Sequence, residues 1–242
     1  MCCEDLKREN EKLKNENQLL KEQLKILKED VTLTQFAEAY KKASSATEDP
    51  TVQKWLRDIL INTVVSKSFS NLDSDNYNND INRLKEDVEL EHIHAIYNTL
   101  LPIIPEADKT NFENKRYAYE YYYYLREGAA LTGIARAISQ PTVFTKSASL
   151  ESVEKLFETW DPTVNTSNYY ATSITKFAET MKISAAIQPV LSLLDSNYSK
   201  YNSKALLSDI TIDQFVKTYK ETLDKVEHPK AKEWLQTLLS DT

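Results

Sequence analysis

The side chains that could perform metal chemistry are few, and a repeated Glu-x-x-His spacing is the most suggestive of them. Carboxylate and imidazole groups three residues apart share one helix face, as they do in four-helix di-iron proteins. Such a centre needs a second motif and further glutamates, but the remaining histidine falls in a predicted loop. We therefore predict ordinary polar surface or a satisfied core histidine here, with no metal and no other cofactor. The residues concerned are Glu89 with His92, Glu91 with His94, and the isolated His228.

A second metal-like spacing lies in the polar stretch at residues 70–82, which reads as a surface loop. Asp73 and Asp75 are spaced like the first two ligands of a calcium-binding loop. The candidate registers lack the central glycine, and they place Asn82 or Leu84 where the bidentate glutamate belongs. This pattern does not support a calcium site.

Catalytic motifs are also missing from the sequence. The chain contains 2 glycines, too few for a phosphate-binding loop, and it has no Gly-x-Ser-x-Gly elbow and no cysteine beyond residue 3. A helical enzyme built from carboxylates and tyrosines remains an alternative, with Glu120, Arg126 and Glu127 as its first suspects. We predict a non-enzymatic protein and assign no catalytic residue.

Composition decides which elements must position any site. An average composition would give a chain of 242 residues roughly 17 glycines. With 2 glycines, tight hairpins are improbable and an all-α fold is expected. The net charge of −7 weighs against nucleic-acid binding, although a nucleic-acid-associated regulator stays open as an alternative. No window approaches about 18 consecutive apolar residues, so we expect a cytoplasmic or otherwise intracellular protein.

Residues 1–31 carry a heptad pattern that predicts a parallel, dimeric coiled coil. Leucine fills four successive d positions, and asparagine at a positions specifies register and strand number. Charges at the g and e positions pair attractively between parallel strands, Glu9 with Lys14 and Glu16 with Lys21. The alternative is an amphipathic helix packed on its own domain. The predicted seam consists of Cys3, Leu6, Asn10, Leu13, Asn17, Leu20, Leu24 and Leu27.

This segment resembles the leucine zipper of basic-zipper transcription factors, and the resemblance covers the zipper alone. Only five residues precede the first leucine, so no basic DNA-reading region is present in front of it. Cys2 and Cys3 would lie close to their equivalents in a parallel dimer. An interchain disulfide, dual palmitoylation and unmodified thiols are the alternatives, and we expect membrane attachment only with lipidation.

An internal duplication is predicted from a self-match at a constant offset of 179. Residues 30–63 and 209–242 are identical at 12 of 34 aligned positions, against about two by chance. Each copy has a Thr-x-x-Gln capping box and a proline that opens a second helix, which together predict a helical hairpin. The predicted repeat core is Phe36, Tyr40, Trp55 and Leu60 in the first copy, and Phe215, Tyr219, Trp234 and Leu239 in the second.

Between the copies, a tyrosine-rich helix is predicted to be central. Tyr117, Tyr121 and Tyr124 share one face, and the surrounding faces are also aromatic. A nucleobase-stacking platform that uses neighbouring Lys115, Arg116 and Arg126 is the alternative. Small residues that recur every fourth position would admit another helix at close range: Ala129, Gly133 and Ala137.

These patterns together predict an all-α protein with a coiled coil at 1–31 and a multi-helix body at 32–242. Two further helices are expected in the body at about 169–184 and 186–199, with Pro189 near the start of the second. The predicted function is that of a non-enzymatic homodimeric scaffold or adaptor. It would present helical surfaces to a protein partner or to further copies of itself.

Overall fold

A computed structural model describes residues 32–132, 148–163, 167–194 and 206–240. The predicted all-α class is confirmed there: the described residues are mostly helical, and no strand occurs among them. These residues form two compact units, one from 32–73 and 89–116 and the other from 74–88 and the described residues from 117 onward. The predicted coiled coil, its seam and charge pairs, and Cys2 and Cys3 lie outside the described residues.

The first unit begins with a helical hairpin, helix α1 (Leu33–Ala46) followed by helix α2 (Pro50–Asp58). Thr32 and Gln35 form the predicted capping box at the start of α1, where the Gln35 side chain accepts from the Thr32 N–H at 3.0 Å. Asp49 caps α2, its carboxylate accepting from the Thr51 N–H at 2.8 Å. Local sequence therefore fixes both starting points of this hairpin.

Helix α2 continues directly into a π-helix, Ile59–Val65, and then into helix α3 (Ser66–Ser70). Leu60 and Val65 are both buried although they are five residues apart, which suits the wider turn of a π-helix. The core of this unit also contains Leu56, Phe69 and Phe112. The π-helix thus brings a leucine and a valine onto one face at a spacing that an α-helix would place on different faces.

Helix α4 (Leu90–Leu100) and two 3-10 turns, Leu101–Ile103 and Glu106–Asp108, complete the first unit together with the start of helix α5 (Lys109–Thr132). Helix α4 starts at Leu90. Its first turn is capped by Glu89 and His92, whose Nδ1 accepts from the Glu89 N–H at 3.1 Å. This cap explains why the chain turns into a helix at that point.

The second unit is built around the tyrosine-rich part of α5, with helix α6 (Leu150–Leu156) and helix α7 (Tyr169–Leu191). Tyr117 and Tyr124 are fully buried, and the Tyr124 ring stacks on Phe157 with centroids 5.1 Å apart. A Cβ added to Gly128 would lie 2.1 Å from Cζ of Phe177. Glycine is therefore required at 128 for the close approach of that ring.

Helix α7 differs from the prediction of two helices meeting near residue 185, because it runs unbroken through that point. Pro189 lies in its last turn, where a proline costs one backbone hydrogen bond without dividing the helix. Twelve of its residues are buried, so tertiary packing on several faces keeps the helix continuous. Residues 195–199 of the predicted second helix lie outside the described residues.

A second hairpin, helix α8 (Ile212–Lys225) and helix α9 (Pro229–Ser240), packs on α7. Thr211 and Gln214 form the same capping box as in the first hairpin, with the Gln214 side chain accepting from the Thr211 N–H at 2.8 Å. The Tyr219 hydroxyl donates to the Leu235 carbonyl at 3.0 Å and ties the two helices together. The core that α7 shares with this hairpin contains Ile183, Ile187, Val190, Leu194, Tyr219, Val226, Ala231, Leu235 and Leu238.

Candidate functional site

The second unit has a groove of about 600 Å³ formed by α6, α7, α8 and the segment before α9. Its volume lies in the range of ligand-binding clefts. The floor is apolar and consists of Leu150 from α6, Ala185, Ala186 and Pro189 from α7, and Val226 from the connecting segment. The groove therefore offers apolar contact area at the edge of the second hairpin.

Pro189 gives this floor a polar feature. Proline has no N–H, so the hydrogen bond that a helix would form to the Ala185 carbonyl cannot be made. Ala185 and Pro189 both line the groove, so the residue whose carbonyl lacks this helical donor is one of the lining residues.

The rim of the groove carries charges of both signs. Within the described ranges, none of the five charged rim residues forms an ion pair, whereas Lys230 and Glu179 beside the groove pair at 2.6 Å. Charged side chains around an apolar floor are the usual anatomy of a protein-binding groove, because the rim stays hydrated while the floor is covered. The rim residues are Glu154, Lys182, Glu221, Lys225 and Glu227.

His228 stands at the end of the groove, in the segment that joins α8 to α9. Its backbone carbonyl accepts from the Lys232 N–H at 3.1 Å in the first turn of α9. The imidazole Nδ1 is buried and has no hydrogen-bond partner among the described residues. The equivalent residue of the first hairpin is Asp49, whose carboxylate caps its helix, so the histidine does not repeat that role.

A separate apolar edge is exposed on the same hairpin. Ile212 is 73% exposed, Val216 40% and Leu239 50%. On α8, Ile212 and Val216 lie on one side of the buried stripe that contains Tyr219. Glu221, which lines the groove, lies on the other side of that stripe. The second hairpin therefore presents two different surfaces, a groove and an apolar edge.

The predicted repeat core is buried in part. Tyr40, Leu60 and Tyr219 are buried, and Phe36, Phe215 and Trp234 are half-buried. Trp55 and Leu239 differ from the prediction, at 38% and 50% exposed. In α9 the neighbouring Leu238 is buried in the core, whereas Leu239 is half-exposed.

The candidate chemical residues are held in structural roles. Glu89 and His92 form a helix cap, and among the described residues no group of three or more histidine, cysteine, aspartate or glutamate side chains is placed to hold a metal ion. Arg126 donates to the carbonyls of Lys85 and Val88, each at 2.6 Å, and to Oε1 of Glu127 at 2.9 Å. That arginine holds residues 85–88 against α5, a role which sequence reasoning did not anticipate.

Sequence reasoning also missed the groove. Its floor residues are alanines, a proline and a valine that carry no motif, and they come together only when α7 packs on the second hairpin. The one sequence signal for the groove was Pro189, which lies within an apolar stretch. We interpreted this proline as marking the start of a helix.

Comparison with known proteins finds no match for this chain among protein-family models, curated proteins or solved structures. A search of the described helices finds none with the length and apolar character needed to cross a membrane. The fold and its surfaces therefore carry the functional argument by themselves.

Proposed function

We propose that the protein is a non-enzymatic homodimeric adaptor, paired through a parallel coiled coil at residues 1–31 and binding a protein partner through the second hairpin. The observation that carries this proposal is the groove of about 600 Å³ with its apolar floor. Its five charged rim residues form no ion pair with any of the described residues. An amphipathic helix suits such a groove, since its apolar face covers the floor and its polar edges meet the rim.

The homodimer rests on the heptad pattern. Leucine at four d positions, asparagine at two a positions and attractive g-to-e pairs favour two parallel strands. Pairing would place two grooves on one particle, so that weak contacts at each would add through effective concentration. We also propose a cytoplasmic or other intracellular location, since no window of the sequence approaches about 18 consecutive apolar residues.

An internal duplication is part of the same proposal. Both hairpins begin with a Thr-x-x-Gln capping box, and their Phe–Tyr ring pairs have centroids 6.0 and 6.1 Å apart with interplanar angles of 31° and 34°. Matching geometry at matching sequence positions supports descent from one hairpin. The second copy would then have acquired the partner-binding groove.

The dimer is tested by native mass spectrometry of the full chain and of a double variant, Leu13→Asp with Leu20→Asp. We expect the full chain to be a dimer at micromolar concentration and the double variant to be a monomer, because charges at d positions oppose each other across the seam. Asn15→Asp with Gln18→Glu adds the same charge outside the seam and should stay dimeric. A monomeric full chain would rule out the proposed homodimer.

The groove is tested by affinity capture from cell extract with quantitative mass spectrometry. Ala186→Arg fills the groove, and we expect it to lose the partner that the full chain retains. Ala46→Arg, an equal change at an exposed position at the end of α1, is the control and should retain it. Equal capture by both variants would show that the groove is not the binding surface.

A further inference from the structure

A strip of tyrosine rings crosses the surface of the second unit and is not used by the proposed groove. Tyr169 and Tyr170 lie at the start of α7, with ring centroids 5.3 Å apart, and Tyr170 contacts Tyr122 of α5 at 6.3 Å. The Arg83 guanidinium lies 5.5 Å from the Tyr122 ring centre and 4.0 Å from that of Tyr77. We call these four tyrosines and Arg83 the tyrosine strip.

The tyrosine strip is accessible at both ends. Tyr169 is 72% exposed and Tyr77 is 42% exposed, while the two rings between them are partly buried. Contiguous exposed apolar surface marks an interaction site more often than a singly exposed side chain does. Along α7 the strip starts about twelve residues before the groove, or roughly 18 Å at the rise of an α-helix. The two surfaces can therefore be tested separately.

The angles between the rings select among ligands. Tyr169 and Tyr170 meet at 78°, and Tyr170 and Tyr122 meet at 73°, so successive rings form notches and do not form a flat platform. A planar base or a sugar ring cannot stack on two such neighbours at once. The puckered ring of a proline fits a notch of this kind, and aromatic-lined grooves are the established receptors of polyproline II segments.

The hydrogen-bonding groups of the tyrosine strip also favour a proline-rich ligand. A proline-rich segment is rich in exposed carbonyl acceptors and poor in N–H donors. The strip carries hydroxyl donors on its two exposed rings, Tyr77 and Tyr169. Burial raises the pKa of the neighbouring Tyr121 to about 12, and burial with a hydrogen bond to Tyr170 also raises the pKa of Tyr122. These hydroxyls therefore stay protonated at neutral pH.

Charge around the strip favours a basic ligand. Residues 74–88, which carry Tyr77 and Arg83, contain four carboxylates against two basic side chains. The Asp80 carboxylate lies close enough to influence the hydroxyls of Tyr121 and Tyr122. A negative local charge repels the phosphates of a nucleic acid and attracts an arginine or lysine.

From these observations we infer that the tyrosine strip binds a proline-rich peptide segment in the polyproline II conformation, with a basic residue that lies beside Asp80. This is a second protein-recognition site, and it does not depend on the groove or on the coiled coil. Prolines would occupy the notches beside Tyr169 and Tyr122, and the Tyr77 and Tyr169 hydroxyls would donate to the peptide carbonyls.

Isothermal titration calorimetry of the full chain tests this site with a synthetic decaproline peptide that ends in two arginines. We expect saturable binding, and roughly tenfold weaker binding for Tyr169→Ala and for Tyr77→Ala. Ile212→Ala, at a residue that is 73% exposed on the second hairpin, is the control and should bind like the unchanged chain. Circular dichroism of each variant verifies that it is folded.

Two further titrations separate the possible outcomes. Asp80→Asn should weaken the binding of the arginine-ended peptide several-fold and leave the binding of a plain decaproline unchanged. An unchanged affinity for the arginine-ended peptide would overturn the placement of its basic residue beside Asp80. The inference would be overturned if binding did not saturate at millimolar peptide or if the tyrosine variants bound normally. Tighter binding of a linear glucan or of oligothymidine would also overturn it. Loss of the dimer or of groove binding would leave these titrations unchanged, so each proposal fails on its own evidence.

Discussion

The two helical hairpins begin alike but bury different leucines. Their first helices have the same capping box and the same tilted Phe–Tyr pair, and their second helices both open on proline. In the first hairpin the second helix passes into a π-helix at Ile59, and in the second hairpin it is described as far as Ser240. Leu60 is fully buried, but the equivalent Leu239 is 50% exposed.

This difference shows that a short match in sequence specifies the start of a helix better than the face that the helix buries. Capping depends on side chains within three or four residues, so the same letters give the same geometry. The face that a helix buries depends on what packs against it. In the first unit the helical segment continues to Phe69, whose ring is fully buried in the core of that unit. Two hairpins with the same caps can therefore bury different leucines.

The largest expected effect separates the two leucines. Leu60→Ala should lower the free energy of unfolding by about 2 to 5 kcal/mol, because it leaves a cavity in a fully buried site. Leu239→Ala should change it by no more than about 0.5 kcal/mol, since half of that side chain is in water. Urea unfolding followed by circular dichroism measures both. Equal losses would mean that the two helices bury the same face after all.

A smaller and equal effect is expected at the two caps. Thr32→Ala and Thr211→Ala should each destabilise the protein by about 1 kcal/mol, because each removes the hydroxyl that accepts from the N3 backbone amide. Both hydroxyls accept at 3.3 Å, so the two variants should agree closely. Thr→Ser at either position keeps the cap and serves as the control in the same unfolding assay. A clear inequality would weaken the proposed duplication.

The smallest effect concerns an ion pair that the first hairpin has and the second lacks. Arg57 donates to both carboxylate oxygens of Asp108, at 2.6 and 2.7 Å, whereas the position equivalent to Arg57 in the second hairpin is Gln236. The hydrogen-bonded guanidinium lowers the pKa of Asp108 below its ordinary value. The pair therefore stabilises the folded state above the unfolded pKa of about 3.9, and this contribution is lost as the pH falls through the folded pKa.

Asp108→Asn tests this pair in unfolding experiments across pH. The stability difference between the unchanged chain and the variant should be greatest above about pH 5 and shrink below about pH 4. We expect it to be smaller than the cap effects because Arg57 is 48% exposed and screened by water. Glu106→Gln, at a side chain that is 86% exposed, should show little such trend. A difference that is constant with pH would exclude the ionised pair as its source.

Much of the fold could be predicted because its signals are local. Scarcity of glycine favoured helices, Thr-x-x-Gln marked two helix starts, and Pro50 and Pro229 opened the second helices as expected. The burial of Tyr117 and Tyr124 followed from a helix that is aromatic on several faces. Glu89 and His92 were predicted to share one helix face, but Glu89 lies just before the helix in an extended conformation and forms its cap with His92.

The candidate sites were less predictable because their parts are distant in the chain. The groove joins Leu150, Ala186 and Val226, and no local pattern links these positions. Close approach occurs at Gly128, beside Phe177, and the predicted small-residue pattern began one residue later at Ala129. Arg126 was considered for catalysis, but its donors are directed to backbone carbonyls of a segment forty residues earlier.

The sequence by itself determined the helical class, the capped starts of the hairpins and the central position of the tyrosine-rich helix. These properties depend on propensity, on caps and on periodicity, which act over a few residues. The tertiary structure decided that α7 is one helix, that Leu60 is buried and Leu239 exposed, and that a groove lies beside the second hairpin. Those outcomes depend on which surfaces meet, since burial is a property of neighbours that lie far apart along the chain.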